Sequence, residues 1–182
     1  MRKLLVTSTL AACIACGGGN SVSGSVDGLP LNAKDALSFQ LEIPVTGFDA
    51  GIFEVGIAMS DFSGLCADVT NGHSPPNATL LSLAIASTSP IAPGTYNVGA
   101  LAIPMAQGFF EKTDANCHSA AAAQAISGTV TLASVSNSST SGTFDVAFPD
   151  AGHMTGSFSA GNCAAFANLI TGDAGITATC SP

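Results

Sequence analysis

"GTVTLASV" (128–135), "GTFDVAF" (142–148) and "GSFSA" (156–160) each start on a glycine, fourteen residues apart. Inside each, the side chains alternate. Val130 and Leu132 fall on one side and Thr129 and Thr131 on the other; Phe144, Val146 and Phe148 oppose Thr143, Asp145 and Ala147; Phe158 sits between Ser157 and Ser159. Period-two alternation gives a strand one buried and one wet face, the pattern of antiparallel sheets. Between the strands, "NSSTS" (137–141) and "PDAG" (149–152) supply turn residues. The C-terminal third therefore reads as a β-meander. Three short copies are too few for a solenoid or propeller.

Working back toward the N-terminus, the same period recurs. Phe39, Leu41 and Ile43 alternate with Gln40 and Glu42, and Phe53, Val55, Ile57 and Met59 with Glu54, Gly56, Ala58 and Ser60. Leu81, Leu83 and Ile85 repeat it, "PGTYNVGAL" (93–101) offers Tyr96 and Val98, and 21–26 reads as a first edge strand. Helical signals are confined to 60–69, ending near Gly72, and 163–170, ending at Gly172. The expected fold is all-β, an antiparallel sandwich or barrel with a C-terminal meander and at most one or two short helices. Periodicity alone leaves sandwich and barrel both open.

Composition agrees with one such domain. Of 182 residues, 47% are hydrophobic and only 9% charged, yet no apolar run approaches the roughly 18 residues of a spanning helix. Twelve acidic residues face four cations, for a net charge of −8. Two of those cations, Arg2 and Lys3, lie in the leader described next, and losing them brings the charge to −10. So negative a surface repels phosphate backbones, which argues against a nucleic-acid partner.

The N-terminus carries an address. Met1, Arg2 and Lys3 form a positive start, followed by a short apolar stretch, the layout of a secretory signal. Leu10-Ala11-Ala12-Cys13 resembles the lipobox of bacterial lipoproteins, whose cysteine receives diacylglycerol. Cys16 competes with Cys13. It gives a longer apolar region, an even number of remaining cysteines and a "CGGGN" tether start, so Cys16 is favoured for lipidation with Cys13 as the alternative. The expected organisation is a cleaved signal peptide over 1–15 (1–12 for Cys13), a Gly/Ser tether over 16–25 and a single β domain over 26–182. Two or three acyl chains anchor stably where one holds marginally.

Cys66, Cys117, Cys163 and Cys180 remain, with no CxxC and hence no zinc spacing. In an oxidising compartment four cysteines read as two disulfides. Three connectivities are possible; Cys66–Cys117 with Cys163–Cys180 is preferred, since the second closes the C-terminal loop and the first joins two turn-rich stretches.

Residues 10–20 with "SGTVTL", "SGTFDVAF" and "TGSFSAGNC" resemble a loose group of β-rich bacterial lipoproteins. The resemblance implies lipid anchoring and a β domain, and it brings no active site with it. Neither Gly17 nor Ile14, the residues after the two candidate cysteines, is the Asp that marks inner-membrane retention in many diderm bacteria. The resemblance thus implies the outer membrane.

Candidate chemistry is sparse. His73, His118 and His153 show no HExxH-type spacing, so no metal is expected, and no GxSxG turn supports a Ser–His–Asp hydrolase. "GGG" (17–19) lacks the lysine of a phosphate loop, and Asp150 and Asp173 sit where turns favour Asp. One stretch stands apart: in "LAIPMAQGFFEK" (101–112), the adjacent Phe109 and Phe110 of one strand must face opposite ways, and Met105 lies nearby. The expectation is a cell-envelope lipoprotein with a binding or structural β domain, without enzymatic activity or cofactor. A barrel carrying a lipid or other apolar ligand is the alternative, and an exported hydrolase the weakest reading. Binding and carrier roles differ in whether Phe144, Phe148 and Phe158 fill the interior or enclose a void.

Overall fold

The structure is a computed structural model and describes residues 19–44, 51–170 and 179–180; Cys13, Cys16, Asp173 and the leader lie outside the described residues. In chain order the elements are β1 (Ser21–Val26), β2 (Leu29–Pro30), β3 (Asp35–Ile43), β4 (Ile52–Ser60), α1 (Leu65–Asn71), β5 (His73–Ser74), β6 (Thr79–Ser87) and β7 (Gly94–Val98). There follow β8 (Met105–Thr113), β9 (Ser119–Gln124), β10 (Ser127–Val135), β11 (Ser139–Ala147), β12 (His153–Asn162), α2 (Ala164–Ile170) and β13 (Thr179–Cys180). No described helix is long and apolar enough to cross a membrane.

The fourteen-residue rhythm is the meander β10–β11–β12. Its antiparallel register sets Gly142 opposite Phe158 and Gly156 opposite Phe144. Each glycine is a seat for the ring across from it: a Cβ on Gly142 would come 2.9 Å from the Phe158 ring, and one on Gly156 equally near that of Phe144. A phenylalanine laid over a cross-strand glycine buries both the ring and the bare backbone. Between β11 and β12 the rhythm is therefore a reciprocal packing arrangement, in which each strand supplies a ring and the seat for the other's ring.

Eight strands close into a barrel in the order β10-β7-β8-β6-β4-β3-β12-β11. Two contacts in that ring are parallel, β7 with β8 and β12 with β3. They divide the wall into two four-stranded antiparallel sheets, β3-β4-β6-β8 and β7-β10-β11-β12. The open choice between sandwich and barrel is thus resolved: two antiparallel sheets face one another, as in a sandwich, and both margins are joined. The β1–β2 hairpin extends the wall beside β12, and β9 beside β8. Ser21–Val26, the end of the span also read as tether, is a paired strand and so belongs to the β domain.

The two sheets are covered differently. Inside the barrel, both contribute one continuous core that includes Val55, Ile57, Leu81, Leu83, Phe110, Phe144, Phe148 and Phe158. Outside, Leu37 and Ala58 of β3-β4-β6-β8 are buried again under α1 and α2, in a second cluster with Leu65 and Cys163. Phe39 belongs to this outer layer. It lies over Gly56, where a side chain would collide with its ring, and packs on Phe166 of α2 with ring centroids 5.0 Å apart. The apolar set of β3 accordingly serves the outer layer, while the interior receives Ala36 and the buried Ser38, whose hydroxyl donates to Ala160 O.

Both helices fall where the sequence signals place them. Asp35, at the start of β3, accepts hydrogen bonds from the Gly64 and Leu65 backbone N–H groups with Oδ2, so a remote carboxylate caps α1. Gly72, at φ 66°, ends the helix in the left-handed conformation that glycine adopts without steric cost.

Candidate functional site

The barrel has no room for a calyx at its phenylalanines. Phe144, Phe148 and Phe158 are each at most 3% exposed and part of the core, and Phe148 meets Phe110 edge-on with centroids 6.4 Å apart. An eight-stranded barrel is narrow enough for side chains alone to fill it, and here they do at these positions.

Open space lies at the rim. A cleft of about 250 Å³ is formed where the end of β3 lies beside the start of β4 and the connection after β6 folds over, bringing Gln40, Glu42, Phe53, Val55 and Ile91 together. It falls just below the roughly 300–1,000 Å³ typical of small-molecule pockets, which suits a small ligand better than an acyl chain. Gln40 is already oriented, since its Nε2 donates to Ser136 O. Glu54 also lines this cleft, and with Ala84, Ala86, Met105 and Gln107 it lines a second, outer groove of about 190 Å³. Partial burial there raises the Glu54 carboxyl above its ordinary range. The rim therefore offers an amide, two carboxylates and an aromatic ring, a set able to hold a small polar molecule by hydrogen bonding and apolar contact.

In the sequence Gln40 and Glu42 mark only the wet face of a strand, and nothing in their spacing marks a cleft; the cleft exists because the chain after β6 returns to β3 and β4. The histidines stay apart. His73 lies in β5, and His118 faces Asp114 at 3.9 Å in an exposed turn. In that turn, N–H donation from His118 and Asn116 lowers the Asp114 carboxyl. His153 Nε2 lies 2.8 Å from Asp145 Oδ1, but on the outer surface, with both side chains at least half exposed, and neither cleft includes a histidine. No group of three metal-ligating side chains occurs among the described residues. Asp150 occupies the β11–β12 turn with φ 54°.

Of the adjacent phenylalanines, Phe110 is fully buried in the core and Phe109 is 44% exposed on the outer face, as strand alternation requires.

The four cysteines do form two disulfides, with a connectivity that corrects the expectation. Cys66 bonds Cys163 and Cys117 bonds Cys180, instead of Cys66–Cys117 and Cys163–Cys180. The reason is tertiary. Cys163 follows β12, where its N–H donates to Ser38 O of β3, and α1 and α2 then meet on the outer face, with Cys66 and Cys163 Cα atoms 5.8 Å apart. Cys180 is carried by β13 alongside β5, next to the turn that holds Cys117.

The chain matches no protein-family model, no curated protein and no solved structure.

Proposed function

We propose that this chain is a cell-envelope lipoprotein, anchored in the outer membrane through Cys16 (or Cys13), whose barrel is a non-catalytic binding domain with its ligand site at the rim. The observation that supports the binding reading best is the contrast between a filled interior and an open rim cleft lined by Gln40, Glu42 and Phe53. Support for the anchor comes from the leader and its lipobox-like stretch. The barrel fold also suits a carrier, but the phenylalanines that would have to enclose an apolar ligand occupy that space themselves.

Cell fractionation of Cys13→Ser, Cys16→Ser and the double variant tests the anchor. Cys16→Ser is expected to release the protein into the soluble periplasmic fraction and Cys13→Ser to leave it in the membrane. A double variant that stays in the membrane overturns the lipoprotein reading.

A further inference from the structure

Charge is distributed unevenly along this chain. No Asp, Glu, Lys or Arg occurs between Asp68 and Glu111, and none between Asp114 and Asp145. The wall segments β6, β7, β8, β9 and β10 thus carry almost no charge, in a protein whose net charge is −8. Among the described residues, four of the five exposed large hydrophobic ones, Leu101, Ile103, Phe109 and Ile126, belong to the same sector, and Leu101 is fully solvated.

At the centre of that sector lies an unfinished strand. Among the described residues β9 (SAAAAQ) pairs with β8 and with no other strand. Ala125 N–H donates to Gly108 O, so Ala123 and Ala121 also direct their backbone groups to β8. The intervening Ala122 and Gln124 direct theirs to the open side, and both are exposed; at Ala120 the ladder bulges, between Lys112 and Thr113 of β8. Edge strands are ordinarily protected by lysine, proline or extreme shortness. β2 follows that rule, with two residues of which one is Pro30. β9 does not.

We infer that β9 is an interface at which two copies of this chain join edge to edge in antiparallel register about Ala122. A strand edge calls for another strand. An alanine run is self-complementary when reversed, with Ala122 of one copy facing Ala122 of the other, and two-fold pairing of identical patches is the commonest form of assembly. Charge selects the surface: copies this acidic repel one another within a Debye length of about 8 Å wherever carboxylates cluster. The uncharged sector is where two of them can meet, and it places Phe109 and Ile126 beside the joined edges.

The test is Ala122→Cys in the full chain, oxidised in intact cells and resolved without reductant, with Thr143→Cys on the opposite sheet as control. The expected result is a species of twice the chain mass for Ala122→Cys and none for Thr143→Cys. Sedimentation of the purified full chain should show a monomer–dimer equilibrium whose midpoint rises at least about tenfold in Ala122→Pro. That proline removes an edge N–H while leaving the β8 ladder intact, and Ala122→Lys serves if the proline variant fails to fold. Monomeric wild type, an adduct of any other mass, or dimerisation unchanged in both edge variants overturns the inference.

Discussion

The two halves of the barrel wall solve the same problem in opposite ways. The sheet β7-β10-β11-β12 buries one face. Its outer face is a ladder of hydroxyls in register, with Thr95, Thr131, Thr143, Ser157 and Ser21 in one row that runs on into β1. Neighbours in that row hydrogen-bond to each other, Thr95 to Thr131 at 3.0 Å and Ser21 to Ser157 at 2.8 Å. The sheet β3-β4-β6-β8 buries both faces where α1 and α2 cover it, and from Val55 to Ser60 every residue of β4 is buried. One sheet is half a core facing water; the other is partly a middle layer.

Removing the clasp on the covered sheet is expected to have the largest effect. Cys66 and Cys163 enclose a separation of 97 residues, and in the chain-entropy model a loop near 100 residues contributes about 4.7 kcal/mol. Denaturant unfolding of Cys66→Ser/Cys163→Ser should show a loss of that order, with hydrogen exchange rising first in α1 and α2. Protection lost equally in β11 and β12 would show that the two layers do not melt separately.

Next, Phe39→Ala and Phe144→Ala should cost about the same, near 4 kcal/mol each, as buried aromatics do. The first faces out of the barrel and the second into it, yet both are 3% exposed. A cost for Phe39→Ala below about 1 kcal/mol would mean that the helices cover the sheet without stabilising it. The matched substitution on the hydroxyl ladder, Thr143→Ala, should stay within about 0.5 kcal/mol.

The smallest expected effect concerns pH. Burial raises the folded-state pKa of Glu54, so its protonated form is favoured in the fold and the penalty appears as pH climbs from the unfolded carboxylate value through the folded one. Glu54→Gln should therefore gain a few tenths of a kcal/mol at pH 7, kept small by solvent screening of a half-exposed group. That gain should vanish below the ordinary carboxylate range. Asp114 has the opposite sign: its depressed pKa stabilises the turn at neutral pH, and that support fades as pH falls through the folded value. Thermal melts from pH 3 to 7 separate the two.

The contrast between the sheets also governs what could be read from the sequence. Alternation in β10, β11 and β12 reports one wet face, so strands, turns and inward phenylalanines were all legible. The strands of the covered sheet were legible too, but not the side on which Phe39 would lie, because a face buried under helices looks the same in sequence as one buried in a barrel. Closure through parallel contacts left no local trace. The disulfide partners depended on that closure, since Cys163 reaches Cys66 only because Asn162 comes to rest beside Ser38. The rim cleft shares this origin: Ile91 comes to line it with Phe53 through chain return, which no spacing encodes.

The pairing of β1 with β12 has a kinetic consequence. Ser21 and Ser157 are 136 residues apart, so the first strand to be made finds its partner only after nearly the whole domain exists. Synthesis proceeds from the N-terminus, and contacts of such separation are entropically slow to form. A nascent chain without β12 leaves one margin each of β1, β3 and β11 unpaired. The barrel is then a structure that snaps shut late, and until then the chain depends on being kept from other unpaired strands.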